Sequence, residues 1–143
     1  MKQHKLFVKT KRLLADMQTP VGIYLKIRDI YPESALLESS DFHSGENSYS
    51  FIGVNPIAHF KVKQGNISYR YPSENIQEYK LQEDDRLTDI FQQYIKQFDI
   101  NGENKTGING FFGYTSYDAV QYFEAVDPIN AKQENSDVPE FYY

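Results

Sequence analysis

Apolar and polar positions alternate most clearly around Gly65. Ala58, Phe60 and Val62 take every second place before it, and Ile67, Tyr69 and Tyr71 every second place after it. A period of two on both sides of a short polar turn predicts an antiparallel hairpin with one face on a core. Gln64-Gly65-Asn66 supplies the turn, with Gly65 and Asn66 both tolerant of positive φ. The other strong period is 3.6. Leu87, Ile90, Phe91, Tyr94, Ile95 and Phe98 fall at i, i+3, i+4, i+7, i+8 and i+11. That spacing predicts a helix with one apolar stripe for packing on a sheet. Asp84 or Asp85 is expected to cap its start and Asn101-Gly102 to end it.

Weaker patterns fill the remainder. Leu6-Phe7-Val8 reads as a short strand, and Leu13, Leu14 and Met17 share one face of a short amphipathic helix within Lys9–Met17. Thr19-Pro20 is expected to stop that helix. Val21–Arg28 reads as a strand with Ile23, Leu25 and Ile27 on one face. Ala35–Ser39 reads as a second strand, short and apolar as a buried central strand would be. Tyr49–Val54 is a third, closed by Asn55-Pro56, and an edge strand is expected around Ile76–Leu81. Gly107–Tyr117 reads as a glycine-rich strand in which Phe111 and Phe112 need burying. Asp118 is expected to cap a short helix, Ala119–Glu124. Asn101–Thr106 and Ala125–Asp137 read as loops. Val138–Tyr143 looks like the beginning of a strand. An exposed apolar strand invites aggregation, so the chain is expected to be the front piece of a longer protein.

Composition narrows the function classes. A length of 143 residues, 40% hydrophobic and 24% charged, fits a single soluble globular domain over 1–143. A net charge of −5 without a Lys/Arg cluster argues against nucleic acid as partner. No apolar run is long enough to span a membrane. Without cysteine there are no disulfides, thiol nucleophiles or thiolate metal sites, which fits a cytoplasmic location. His4, His43 and His59 are scattered without metal-ligand spacing. Gly107, Gly110 and Gly113 have neither the ending of a nucleotide P-loop nor the spacing of a dinucleotide fold.

One residue stands out chemically. Glu38 is a charge at the end of an apolar strand, with Ser39 beside it. Buried charges are normally paired. Glu38 is therefore either a surface residue at a strand end, which local physics favours, or a carboxylate that holds the ammonium of a small ligand.

Ordered landmarks then resemble a known family. Lys11-Arg12-Leu13-Leu14-Ala15-Asp16, Thr19-Pro20-Val21 and Tyr24-Leu25-Lys26 open the series. Leu36-Leu37-Glu38-Ser39, Tyr49-Ser50-Phe51-Ile52-Gly53, Gly110-Phe111-Phe112-Gly113-Tyr114, Tyr117-Asp118 and Tyr122-Phe123-Glu124 follow. In this order they resemble the N-terminal domain of anthranilate synthase component I, the chorismate-using subunit of tryptophan biosynthesis. The chain departs from the family at Ser48 and Gln121, where arginine is common, and at Asn109-Gly110, where paired glycines are common.

The resemblance implies an α+β fold: mostly antiparallel sheet, part of a two-layer sandwich, with packed helices. It implies that L-tryptophan acts as feedback inhibitor through Leu37, Glu38, Ser39 and Ser50. It also implies partnership with the protein's own C-terminal catalytic domain and with the glutamine amidotransferase subunit, component II. Mg²⁺ and catalysis belong to the catalytic domain, so this segment is expected to hold no cofactor or catalytic residue and to be inactive alone. Two alternatives remain: the same domain of aminodeoxychorismate synthase component I, and a stand-alone amino-acid-binding module.

Overall fold

The computed structural model describes residues 3–38, 49–102, 109–124 and 137–143. These fall into two compact units, residues 11–56 and residues 1–10 with 57–143. The architecture mixes short helices with mainly antiparallel sheet.

The larger unit is built on the predicted hairpin. Strands β4 (His59–Lys63) and β5 (Asn66–Arg70) pair with Phe60 opposite Tyr69 and Val62 opposite Ile67. The positive φ values fall on Gln64 (50°) and Gly65 (74°), one position earlier than expected, and Asn66 opens β5. Two adjacent positive-φ residues give the turn that matches strand twist. Side chains from distant segments hold it. The Gln64 amide donates to the Glu140 carboxylate at 2.9 Å and the Gly65 amide to the Tyr122 hydroxyl at 2.9 Å. β6 (Gln77–Lys80), near the expected edge position, pairs antiparallel with β5. A short β7 (Phe98–Gly102) pairs parallel with β1 (His4–Val8) in a separate two-stranded sheet. β8 (Tyr114–Thr115) and β9 (Phe141–Tyr142) complete a five-stranded sheet in the order β6-β5-β4-β9-β8.

Helix α2 (Leu87–Ile95) carries the predicted stripe. Leu87 and Tyr94 are buried, and Ile90 and Phe91 pack against the same cluster of Phe60, Val62, Ile67 and Phe141. The core is strongly aromatic, with Phe60–Phe91 centroids 5.1 Å and Phe91–Phe141 centroids 5.0 Å apart in tilted and edge-on geometry. The Tyr94 hydroxyl lies 2.9 Å from the Arg70 carbonyl and 3.1 Å from the His59 carbonyl, positioned to donate to either. Burial pushes its pKa well above the ordinary tyrosine value.

Several expected boundaries move. The helix ends at Ile95, so Asn101-Gly102 closes β7 instead, and Phe98 reaches the core from a strand. Arg86 is the N-cap, without a side-chain bond. Asp85 is occupied elsewhere: it accepts from the Tyr79 hydroxyl and the Gln82 amide. The tyrosine contact, then the amide, holds its pKa below the usual carboxylate range. Residues 107–108 of the expected glycine-rich strand lie outside the described residues; 109–113 are irregular, and among the described ones only Tyr114–Thr115 is extended. Phe111 packs on the core while Phe112 is exposed. The short helix near the end is a 3-10 turn, Tyr117–Tyr122, with Ser116 rather than Asp118 at its cap. Of the expected loops, residues 103–106 and most of residues 125–137 lie outside the described residues.

The smaller unit overturns several expectations. Val21–Arg28 is not a strand. It belongs to helix α1 (Pro20–Ile27), whose N-cap Thr19 accepts from the Gly22 amide at 3.0 Å. Thr19-Pro20 is therefore a helix start, with a capping hydroxyl followed by proline at the first position, where its missing amide costs nothing. Ile23 and Ile27 satisfy i, i+4 as well as period two, and the capping pair decides between them. The expected helix over Lys9–Met17 is absent. Residues 9–15 are irregular, and Leu13, Leu14 and Met17 are exposed. β2 (Ser34–Glu38) and β3 (Ser50–Val54) form an antiparallel pair against which α1 packs. Among the described residues this is a two-stranded sheet with only partly buried positions, so β2 is not a buried central strand.

Candidate functional site

The register of the β2–β3 pair organises the candidate residues. Glu38 stands opposite Ser50, Leu37 opposite Phe51, Leu36 opposite Ile52, and Ala35 opposite Gly53. Paired Cα atoms in such a ladder lie about 4.5–5.5 Å apart, so facing side chains are neighbours. Successive residues point to opposite faces. Glu38 and Ser50 therefore share one face at the end of the ladder where residues 39–49 connect the strands, and Leu37 belongs to the other face with Phe51. Ser39 lies outside the described residues.

Glu38 and Ser50 are both exposed. Among the described residues no hydrogen bond or ion pair holds the Glu38 carboxylate. Among the described residues, then, Glu38 is an exposed carboxylate at a strand end. An ammonium meeting it would form a charge-assisted hydrogen bond, and the Ser50 hydroxyl can donate or accept beside it. Leu37 is half-buried and offers apolar contact.

The sequence missed Phe51 as the partner of Leu37. Alternation within each strand was visible, but the register that places Phe51 across from Leu37 depends on the connection between them. Other candidates have plain structural roles. His4 stacks on Tyr71 with centroids 4.6 Å apart, and His59 meets Tyr142 edge-on at 6.4 Å. His43 lies outside the described residues. In the glycine-aromatic segment, a Cβ on Gly113 would collide with the Tyr142 carbonyl oxygen, so glycine allows the close backbone approach.

Mg²⁺ finds no fit here: among the described residues, no three His, Cys, Asp or Glu converge where they could hold a metal. No described helix is long and apolar enough to cross a membrane.

Comparison with known proteins gives one consistent name. The chain is 27% identical over 119 residues to anthranilate synthase component 1 of Thermus thermophilus, covering 83% of this chain and 24% of that protein. It is 32% identical over 111 residues to the Pseudomonas putida protein of that name, covering 78% of this chain and 22% of the relative. With that of Saccharomyces cerevisiae it shares 33% identity over 114 residues, covering 74% and 19%. The chain thus spans about a fifth to a quarter of the length of the curated relatives it matches. No family model matches the chain, and no solved structure does. Agreement across bacterial and yeast relatives over most of the chain places this protein in the anthranilate synthase component I family, with an extent consistent with that subunit's N-terminal domain.

Proposed function

We propose that this chain is the tryptophan-sensing regulatory region of anthranilate synthase component I. Its strands would contribute to the two-layer sandwich of the intact subunit. The intact enzyme would convert chorismate to anthranilate and pyruvate, with ammonia released from glutamine by the component II amidotransferase. Mg²⁺ would be held by the catalytic domain, outside this chain, and would supply Lewis-acid chemistry there. This segment alone would be inactive.

The observation that carries the proposal is the exposed Glu38–Ser50 pair at the end of a ladder, in a chain whose relatives share one enzyme name. Glu38 accepts from the ammonium of L-tryptophan, Ser39 and Ser50 offer hydroxyls to its polar end, and Leu37 meets its apolar side chain. Regulation requires tryptophan to bind the active and inhibited arrangements of the intact enzyme with different affinity.

The chain contains no tryptophan, so indole fluorescence reports the ligand alone. Titrating the chain into L-tryptophan should give a saturable rise in anisotropy that Ser39→Ala reduces. A flat trace with the folded chain counts against binding by this segment.

A further inference from the structure

The five-stranded sheet ends at β6, whose four residues are all exposed. Among the described residues no strand covers its outer edge. The direction of each backbone group follows from the ladder with β5. The Leu81 amide donates to the Gly65 carbonyl at 2.9 Å, which makes those two a hydrogen-bonded pair. Such pairs alternate along an antiparallel ladder, so Tyr79 and Gln77 turn their backbone groups toward Ile67 and Tyr69. Glu78 and Lys80 turn theirs to the outer edge. The Lys80 carbonyl shows this directly: it accepts from the Gln82 side-chain amide at 2.9 Å, a local substitute for a neighbouring strand.

The side chains alternate in the same way. Tyr79, opposite buried Ile67, lies on the core face, where its hydroxyl meets Asp85. Glu78 and Lys80 share the outer face, and among the described residues no ion pair holds either. Charge on an edge strand, lysine above all, usually discourages pairing. Here the two charges are opposite in sign and stand one residue either side of Tyr79. A two-fold axis centred on Glu78 or Lys80 would bring like charges together. An axis centred on Tyr79 sets Glu78 against Lys80 of a second copy, and Lys80 against its Glu78. Opposite charges directly across a ladder attract. The same two pairs are the ones whose amides and carbonyls point outward to exchange hydrogen bonds.

We propose that β6 is a self-complementary dimerisation edge. It pairs antiparallel with β6 of a second copy about a two-fold axis at Tyr79 and joins two five-stranded sheets into one. Gln82 yields the Lys80 carbonyl when the second strand arrives. This does not depend on the tryptophan-sensing function above. A four-residue strand buries far less than the roughly 1,600 Å² of a standard interface, so the dimer dissociates on dilution.

Sedimentation velocity of the full-length protein tests the edge. Wild type should pass from dimer to monomer on dilution through the micromolar range. Glu78→Lys and Lys80→Glu each bring like charges together twice across the axis, so each should weaken self-association about tenfold or more. Both sites are exposed, and the melting temperatures should hold. An equimolar mixture of the two single variants should form dimers again, because opposite charges face each other once more, and the double variant should do the same. Wild type that stays monomeric, or single variants that associate as wild type does, overturns the proposal. A mixture that stays monomeric overturns it too, since pairing about Tyr79 requires that recovery.

Discussion

Leu37 and Glu38 are neighbours in sequence but face opposite sides of the β2–β3 ladder, one across from Phe51 and the other across from Ser50. This sorts the family's tetrapeptide into a polar contact, Glu38, and an apolar one, Leu37, with separable effects. Replacing exposed Glu38 by Gln should leave the melting temperature within the scatter of surface substitutions, about 0.5 kcal/mol, while weakening tryptophan binding. Leu37→Ala should cost stability as well, because Leu37 is half-buried. Thermal melts and ligand titrations of the two variants check the division.

The Tyr94 hydroxyl lies within reach of the carbonyls of His59 and Arg70, which are themselves register partners in β4–β5. It ties α2 to the hairpin. Tyr94→Phe removes the donor and leaves the ring, so the expected loss is that of one hydrogen bond between partly buried groups, about 1–2 kcal/mol. A shift of the urea midpoint checks it, and an unchanged midpoint would show that the hydroxyl contributes nothing net.

The same residue predicts behaviour in alkali. Burial raises the folded-state pKa of Tyr94 above the ordinary value of 10.0. The neutral hydroxyl therefore favours folding fully below that value, and its contribution declines as pH rises past it toward the folded pKa. Tyr71 and Tyr122 are also shifted upward, chiefly by burial. Spectrophotometric titration should show early-ionising tyrosines followed by a late group that ionises together with unfolding. Simultaneous ionisation of all twelve while the fold persists would contradict it.

Glycines 53 and 113 should respond oppositely to alanine. A methyl group at Gly53 meets open space, and one at Gly113 meets the Tyr142 carbonyl. Gly113→Ala should cost about 1–3 kcal/mol as an overpacked site. Gly53→Ala should be neutral or slightly stabilising. Melting temperatures of the pair provide the comparison.

The legible parts of the fold were those where one period had no competitor. Phe60, Val62, Ile67 and Tyr69 alternate on both sides of a two-residue turn, and the Leu87–Tyr94 stripe has no period-two interpretation. Val21–Ile27 failed because Ile23 and Ile27, taken alone, satisfy both periods, while Leu25 fits only the strand period and is exposed. What decides the case is Thr19-Pro20, which starts a helix rather than stopping one. Thr19→Ala should accordingly weaken α1 by about 1 kcal/mol, visible as faster amide exchange at Gly22 and Ile23, whose amides bond to Thr19. Leu13, Leu14 and Met17 misled for another reason: three apolar side chains at helical spacing make a helix only when a surface buries them, and in this chain they are exposed. At the candidate site the sequence identified the residue types. It did not reveal which share a face, since that follows from strand register.

The most direct measurement is the product formed by the full-length protein from chorismate and glutamine, with component II present, as L-tryptophan is titrated in. The account predicts anthranilate, followed by its own fluorescence, and progressive inhibition by tryptophan that Ser39→Ala and Glu38→Gln relieve. An aminodeoxychorismate product, or anthranilate formation indifferent to tryptophan, would contradict it.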